Sequence, residues 1–242
     1  MTTEKSPEPP VPDSQTLDWI DGDMPYSQEF GDHFYCREDG RAEAAHVFLD
    51  GNGLPGRWQG DSVFRIGELG FGTGLNFCET WRQRKQSPFA GTVHFVSFER
   101  FPMQGADIDR ALSRWPEVDA ERRALVTRWP EAPEGIVDID FGDIRLSVVC
   151  GSAFDSIAAY DAPFDAWYLD GFAPRRNPDM CSEELMRRVF SRTVEGGTFA
   201  TYAAAGFVRR NLQATGYAVD RRPGYGSKRE MLCGAKTTPD VV

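Results

Sequence analysis

Residues 62–77, with the sequence Ser-Val-Phe-Arg-Ile-Gly-Glu-Leu-Gly-Phe-Gly-Thr-Gly-Leu-Asn-Phe, decide the fold of this chain. The first half, Ser62–Leu69, is an apolar run typical of a buried β-strand, and it continues into a turn with three glycines. The pattern then predicts a helix over Leu75–Gln86. A strand that enters a helix through a glycine turn is typical of α/β proteins with parallel sheets.

Strands and helices alternate along the rest of the chain. The pattern predicts strands at Thr92–Phe98, Ile136–Asp140, Ile144–Val149, Phe164–Leu169, Thr198–Tyr202, Tyr217–Arg221 and Arg229–Cys233. It predicts helical structure over 105–129 broken at Pro116, over Glu183–Thr193 stopped by Gly196-Gly197, and over Gly206–Ala214. Hairpins are expected at Phe141-Gly142-Asp143 and between the last two strands. The order predicts an α/β, Rossmann-like fold, whose mostly parallel sheet carries helices on both faces.

The domain organisation follows from composition. Residues 1–16 are polar and proline-rich, which predicts a disordered N-terminal tail. Residues 17–238 are expected to form a single domain, and 242 residues are ample for a packed core. Within it, residues 17–61 do not alternate cleanly and are expected to form an N-terminal extension. Phe30-Gly31-Asp32 and Val47–Gly53 predict short strands and turns in that extension.

Several classes of protein are disfavoured by composition. No apolar run approaches the roughly 18 residues that a membrane helix needs, and no signal peptide opens the chain. Five scattered cysteines without a C-x-x-C motif argue against a disulfide framework or a zinc site, so a reducing cytoplasm is the expected compartment. None of the three histidines lies in a catalytic or metal-binding motif.

The net charge of −10 hides an uneven distribution. Residues 1–170 hold 15 Lys and Arg against 30 Asp and Glu, whereas residues 171–242 hold 12 against 7. A local basic patch binds phosphates even on an acidic protein. The basic residues of residues 171–242 occur in adjacent pairs, and a solvated helix face or strand end is the alternative interpretation for any single pair. The pairs are Arg175-Arg176, Arg187-Arg188, Arg209-Arg210, Arg221-Arg222 and Lys228-Arg229.

The glycine turn has the composition of a cofactor-binding loop. Gly70, Gly72 and Gly74 follow the spacing G-x-G-x-G, which differs from the G-x-G-x-x-G of dinucleotide-binding folds. Glu68 suits a ligand with an amino-acid end, and Glu99 ends the next strand, where a carboxylate can accept both hydroxyls of a ribose. Together they predict the S-adenosyl-L-methionine site of a class I methyltransferase. A purely structural tight turn is the alternative.

Further residues are predicted to contact the cofactor: Asn76, Gly151, Ser152, Ala153 and Asp170. Asn76 either hydrogen-bonds the carboxylate of the ligand or caps the helix. Gly151, Ser152 and Ala153 follow the strand Ile144–Val149, where methyltransferases often place an Asp near the adenine. Ser152 can hydrogen-bond the adenine amine there.

Asp170 ends the strand Phe164–Leu169, and ligands of open α/β sheets bind beyond the carboxyl ends of strands. A carboxylate there can orient an amine nucleophile and accept its proton, and positioning is the safer assignment because a carboxylate also stabilises the ammonium form. Phe172 either stacks on a planar base or packs in the core. A helix cap or a loop-fixing group is the alternative for Asp170.

These motifs resemble the methyltransferase domain of the MnmC family, and the resemblance covers about residues 17–234. It rests on Ser27–Phe30, Val47–Asn52, Glu68–Phe77, Phe98–Pro102, Asp165–Pro174, Asn177–Met180, Ala205–Arg210 and Lys228–Gly234. The chain departs from the family pattern at Ser152, where an Asp is usual, and at Cys181, where an aromatic residue is frequent.

The resemblance implies a class I methyltransferase fold with small appended N-terminal and inserted elements. It implies methyl transfer from S-adenosyl-L-methionine to the 5-aminomethyl group of a wobble (2-thio)uridine in tRNA, with Asp170 facing the aminomethyl nitrogen. The substrate pocket is then bordered by Phe172, Pro174, Asn177, Met180 and Lys228.

The FAD-dependent oxidase domain of the family has no counterpart before Val242, so the resemblance is to the standalone, MnmD-like form and implies methylation alone. The implied functional partners are a separate FAD-dependent oxidase or the enzymes that make the 5-aminomethyl precursor. Two alternatives stay open. One is an N-methyltransferase acting on a small amine or a protein, and the other is a non-catalytic module that binds S-adenosyl-L-methionine or RNA.

Overall fold

The computed structural model describes residues 16–60 and 62–237, so the predicted tail lies outside the described residues except for Thr16. Two sheets are present in this range. The first is a small antiparallel sheet of β1 (Leu17–Ile20), β2 (Met24–Ser27) and β3 (Asp32–His33). The second holds β4 (Val63–Leu69), β5 (Thr92–Glu99), β6 (Ile136–Asp140), β7 (Ile144–Cys150), β8 (Phe164–Tyr168), β9 (Thr193–Thr201), β10 (Tyr217–Pro223) and β11 (Glu230–Lys236).

The large sheet is mostly parallel, as the sequence predicts. Its strand order is β10-β11-β9-β8-β4-β5-β7-β6. Strands β7, β5, β4, β8 and β9 run parallel, whereas β6 and β11 are antiparallel to their neighbours. The chain leaves β4 towards β5 and later returns to its other side through β8. This reversal opens a crevice at the carboxyl ends of β4 and β8, the usual place for a ligand in such sheets.

Helices cover both faces of the large sheet, which confirms the predicted layers. The helices are α1 (Gly40–Glu43), α2 (Leu75–Gln86), α3 (Gly105–Leu112), α4 (Asp119–Arg128), α5 (Ala153–Ala159), α6 (Glu183–Ser191) and α7 (Gly206–Thr215). One apolar core contains Phe77 of α2 and Leu125 of α4. The other contains Ile157 of α5, Val189 of α6 and Leu212 of α7. Within the described ranges, no helix is long and apolar enough to cross a membrane.

The segment Val47–Gly53 is helical, so the predicted short strands and turns there are wrong. A π-helical turn, Ala44–Leu49, continues α1 and leads into a 3-10 turn, Asp50–Asn52. Val47, Phe48 and Leu49 are all nearly inaccessible to solvent. A short apolar run of this kind fits a buried helix as well as a buried strand, and periodicity alone does not separate them.

The sequence predicts that Gly196-Gly197 stops a helix, and this prediction is wrong. Helix α6 ends at Ser191, and both glycines lie inside β9. The pairing of β8 with β9 shifts register across this point, and Gly196 has a φ of +74°. The pair therefore accommodates an irregularity of the strand, which is a common use of glycine in sheets.

Candidate active site

A cavity of about 1100 Å³ opens at the carboxyl ends of the central strands. The structure brings together in its lining many of the residues that the sequence singles out: Gly70, Gly72, Asn76, Glu99, Ser152, Ala153, Asp170, Phe172, Asn177, Met180 and Lys228. Four other predicted site residues do not line it: Glu68, Gly74, Gly151 and Pro174. These four are neighbours of lining residues in the chain or in space.

The glycine turn and Glu99 are joined directly. Gly70 and Gly72 have φ values of +83° and +52°, which glycine adopts without the steric cost of a side chain. The N–H of Gly72 donates to Oε2 of Glu99 at 2.9 Å, and the N–H of Phe101 donates to Oε1 at 2.6 Å. Each carboxylate oxygen keeps a further lone pair, so the group can accept two ligand hydroxyls in addition.

Burial raises the pKa of Glu99, and the N–H groups of Gly72 and Phe101 act in the opposite direction. A carboxylate held by backbone donors in this way is fixed in position before any ligand arrives. The site is therefore preorganised for a group with two neighbouring hydroxyls, such as a ribose.

Glu68 lies behind the cavity wall and reaches the cavity through Asn76. Its side chain is 1 % exposed, and it accepts hydrogen bonds from Ser97 Oγ at 2.6 Å and from Asn76 Nδ2 at 2.9 Å. Asn76 Nδ2 also donates to Asp170 Oδ2 at 2.8 Å. The amide of Asn76 thus bridges two carboxyl groups, and α2 begins without a side-chain cap. Asn76 therefore does not cap α2, which was the alternative role for its side chain.

Asp170 has the ionisation behaviour of a group that can exchange a proton at neutral pH. Burial raises its pKa to about 7, with a further contribution from the carboxylate of Glu43. The N–H of Gly171, the amide of Asn76 and the ammonium of Lys228 act in the opposite direction. Perturbed carboxyl groups of this kind in a cleft are typical of functional sites.

Sequence reasoning missed two lining residues beside Asp170, Glu43 and Tyr202. Lys228 Nζ donates to Glu43 Oε1 at 2.6 Å and lies 3.6 Å from the centre of the Tyr202 ring. Tyr202 follows the parallel strand β9, so the rule that pointed to Asp170 also pointed to Tyr202. Glu43 follows no strand, and no local pattern marks it.

The N-terminal segment is bonded to the loop that follows Asp170. Phe172 stacks on Phe30 with ring centroids 4.5 Å apart, and the N–H of Ala173 donates to Asp32 Oδ2 at 2.9 Å. Arg176 donates to the carbonyl oxygens of Phe30 and Gly31. Phe172 is half-buried and lines the cavity, and Phe30 stacks on one face of its ring.

Ser152 and Ala153 lie at the beginning of α5, on the side of the cavity next to Glu99. The N–H of Gly151 donates to the carbonyl oxygen of Glu99 at 2.8 Å, which links the two strand ends. Ser152 occupies the N-cap position, yet its side chain makes no capping hydrogen bond. Its hydroxyl is thus not engaged by the helix that it precedes.

The residues present fit S-adenosyl-L-methionine. Gly70 and Gly72 let a ligand approach the backbone, Glu99 is fixed as a hydroxyl acceptor, and Asn76 presents an amide between two carboxyl groups. The cavity extends from these groups to Asp170, so a second ligand can meet the first there. When bound, the cofactor supplies an electrophilic methyl group.

Comparison with known proteins agrees with this geometry. A family model described as S-adenosyl-L-methionine-dependent methyltransferase matches residues 116–237. The chain is 43 % identical over 229 residues to the tRNA 5-methylaminomethyl-2-thiouridine biosynthesis bifunctional protein MnmC of Pseudomonas aeruginosa (strain UCBPP-PA14). The aligned region covers 92 % of this chain and 35 % of that protein. The protein of the same name from Marinobacter nauticus is 40 % identical over 97 % of this chain and 38 % of its own length. The chain thus spans about a third of the length of these relatives.

The fold also matches a solved structure, the crystal structure of MNMC2 from Aquifex aeolicus. The TM-score is 0.76 at 20 % sequence identity, over 95 % of this chain and 73 % of that one. This likeness confirms the class I, Rossmann-like fold. Since the family model matches half of the residues, the chain belongs to the S-adenosyl-L-methionine-dependent methyltransferases, and S-adenosyl-L-methionine is its cofactor.

Proposed function

We propose that this protein transfers a methyl group from S-adenosyl-L-methionine to the 5-aminomethyl group of a wobble (2-thio)uridine in tRNA, giving the 5-methylaminomethyl form. The observation that carries the chemistry is the position of Asp170, whose carboxyl group lines the same cavity as Gly70, Gly72 and Glu99. The choice of tRNA is supported by the names of the relatives, two of which are at least 40 % identical over more than nine-tenths of this chain.

The residues around Asp170 suit an amine substrate. A primary amine is mostly protonated at neutral pH and must lose a proton before its lone pair can attack a methyl group. Asp170 with a pKa of about 7 can orient the ammonium group in its ionised form and accept that proton. Asn76 holds Oδ2 of Asp170, which fixes the direction in which the carboxyl group faces the cavity.

The remaining predicted residues are assigned to two sides of the cavity. On the cofactor side, Glu99 accepts the ribose hydroxyls, the glycine turn approaches the amino-acid end and Ser152 lies near the adenine. On the substrate side, Phe172, Asn177, Met180 and the ammonium of Lys228 border the base. Glu68, Gly74, Gly151 and Pro174 support these groups from behind.

A transfer assay tests the proposal. The purified protein is incubated with S-adenosyl-L-methionine carrying a labelled methyl group and with tRNA whose wobble uridine carries the 5-aminomethyl group. Mass spectrometry of the digested nucleosides should find the label in 5-methylaminomethyluridine or its 2-thio form, whereas tRNA without the aminomethyl group should stay unlabelled. Label only in a small amine or a protein would overturn the tRNA assignment.

The chemistry of the substrate also implies what acts before this protein. The aminomethyl group must be present before the methyl group is added, so a separate FAD-dependent oxidase or other enzymes that make the 5-aminomethyl precursor are proposed as functional partners. We place the reaction in the cytoplasm, together with its tRNA substrate.

A further inference from the structure

Two groups of arginines among the basic pairs of the C-terminal part differ in their partners. In the first group, arginines form ion pairs on their own element or hairpin. Arg187 pairs with Glu183 on α6, and Arg221 pairs with Glu230 across the β10–β11 hairpin. These pairs fit the interpretation as solvated helix faces and strand ends.

In the second group, the arginines have no acidic partner among residues 16–60 and 62–237. This group includes Arg175, Arg210 and Arg229, and all three side chains are exposed. Arg176 belongs to the same stretch as Arg175, but it donates to backbone carbonyl groups of the N-terminal segment. Arg222 likewise donates to the carbonyl oxygen of Asp50, so within the described residues Arg175, Arg210 and Arg229 are the exposed arginines of these pairs with neither a carboxylate nor a carbonyl partner.

These three arginines lie at one edge of the sheet. Arg175 is in the loop that follows Asp170 at the carboxyl end of β8. Arg210 is in the first half of α7, which begins just after β9 ends, and Asn211 Nδ2 on the same helix donates to the carbonyl oxygen of Cys181 at 2.8 Å. This bond ties α7 to the 3-10 turn Pro178–Cys181, which follows the loop that carries Arg175.

Arg229 is in the turn that joins β10 to β11. Because β10 runs parallel to β9, this turn also lies at the carboxyl edge, and the neighbouring Lys228 lines the cavity. Arg175 and Arg229 thus lie next to residues that line the cavity, and Arg210 lies on the helix that is bonded to the end of the Arg175 loop.

We propose that Arg175, Arg210 and Arg229 form a docking surface for the phosphate backbone of RNA at the mouth of the cavity. This inference rests on the proposed function. A guanidinium group offers a planar pair of donors that matches phosphate oxygens, and a chain of phosphates engages several such groups together. Residues 1–170 carry 15 more acidic than basic residues, whereas residues 171–242, which contain all three arginines, carry 5 more basic than acidic residues, so the attraction for phosphates is expected from this part of the chain.

Two triple variants with the same change in net charge test the surface. The first is Arg175→Gln, Arg210→Gln and Arg229→Gln. The matched control replaces three exposed arginines that already form ion pairs, Arg123→Gln, Arg187→Gln and Arg221→Gln. For each protein, tRNA binding is measured by fluorescence anisotropy between about 50 and 200 mM salt, and kcat and KM are measured with aminomethylated tRNA.

The first variant should bind tRNA at least tenfold more weakly, and its slope of log K against log salt should fall by about 2 to 3. Its kcat at saturating tRNA and its Kd for S-adenosyl-L-methionine should stay within twofold of the wild type, which also shows that it is folded. The control should change tRNA affinity less than threefold. If the first variant keeps the tRNA affinity and the salt slope of the wild type, or if the control loses as much tRNA affinity as the first variant, the proposed docking surface is wrong. Either result would leave the proposed function intact. A wild-type protein that neither binds nor methylates tRNA would overturn both.

Discussion

The ammonium of Lys228 lies 2.6 Å from Oε1 of Glu43, and both side chains line the cavity together with Asp170. The pair joins the N-terminal helical segment to the C-terminal hairpin, which are separated by 185 positions in the chain. Glu43 is only 7 % exposed, so its charge depends on Lys228 for compensation. Removing Lys228 leaves the buried carboxylate of Glu43 uncompensated, which makes this contact sensitive to substitution.

Replacing Glu43 with Gln should shift the pH dependence of catalysis. Glu43 raises the pKa of Asp170 and Lys228 lowers it, so loss of the Glu43 charge leaves the ammonium to act alone. The rise of kcat with pH should therefore move to lower pH, by about half a unit to one unit. A profile that coincides with that of the wild type would contradict the role of Glu43. The exposed Glu131→Gln variant serves as the control and should leave the profile unchanged.

Replacing Asp170 with Asn should remove proton acceptance while preserving the shape of the site. We expect kcat to fall by about 10²- to 10⁴-fold and the affinity for S-adenosyl-L-methionine to stay within a few fold. In the wild type, kcat should rise as the pH passes through about 7, because Asp170 accepts a proton only when ionised. The residual kcat of the variant should not show this rise with pH. A variant that turns over at the wild-type rate would exclude Asp170 from the reaction.

The same substitution should stabilise the protein at alkaline pH. The pKa of Asp170 is raised from the usual 3.8 to about 7 in the folded state, so between these values the folded protein binds more protons than the unfolded chain. The contribution of this group to stability therefore falls as the pH rises through this window. Asp170→Asn should raise the free energy of unfolding by about 2 kcal/mol at pH 8 and by much less at pH 4, allowing for screening by water in the cavity. Denaturant titrations at both pH values test this, and a loss of stability at pH 8 would contradict it.

Glu99 and Glu68 should differ in their effect on the cofactor. Glu99→Gln replaces a lining carboxylate and should weaken S-adenosyl-L-methionine binding by about 10- to 100-fold, or roughly 1.4 to 2.8 kcal/mol. Glu68 lies behind Asn76, and burial raises its pKa well above the usual value, so the neutral side chain in Glu68→Gln resembles the form that burial favours. Its effect should stay below about fivefold. Calorimetry measures the affinity of both variants for S-adenosyl-L-methionine. A larger loss in Glu68→Gln than in Glu99→Gln would contradict the assignment of Glu99 as the direct contact.

The parts of the fold predicted from sequence are those fixed by local patterns. The strand–glycine–helix unit around Gly70 and the hairpin at Gly142 depend on a few adjacent residues, and both form where they are expected. The predictions failed where a local signal had two meanings. The buried run Val47–Leu49 suits a helix as well as a strand, and Gly196-Gly197 lie inside β9 rather than after a helix.

The site was predictable to the extent that it follows strand ends. Glu99 and Asp170 each end or follow a parallel strand, and the structure brings both to one cavity. The position of Glu43 depends instead on its pairing with Lys228, a contact between distant parts of the chain that no local spacing encodes. Local spacing also misleads. Glu68 lies next to the glycine turn and is predicted to contact the cofactor, but in the structure it lies behind the side chain of Asn76.

A crystal structure of the protein with S-adenosyl-L-methionine tests the central claim most directly, because that claim assigns the cofactor and the amine to one cavity. We predict that the ribose hydroxyls lie within hydrogen-bond distance of Glu99, and that the amino-acid end lies against Gly70 and Gly72. The methyl group should then face the carboxyl group of Asp170. Density for the cofactor outside this cavity, or a methyl group directed away from Asp170, would contradict the account.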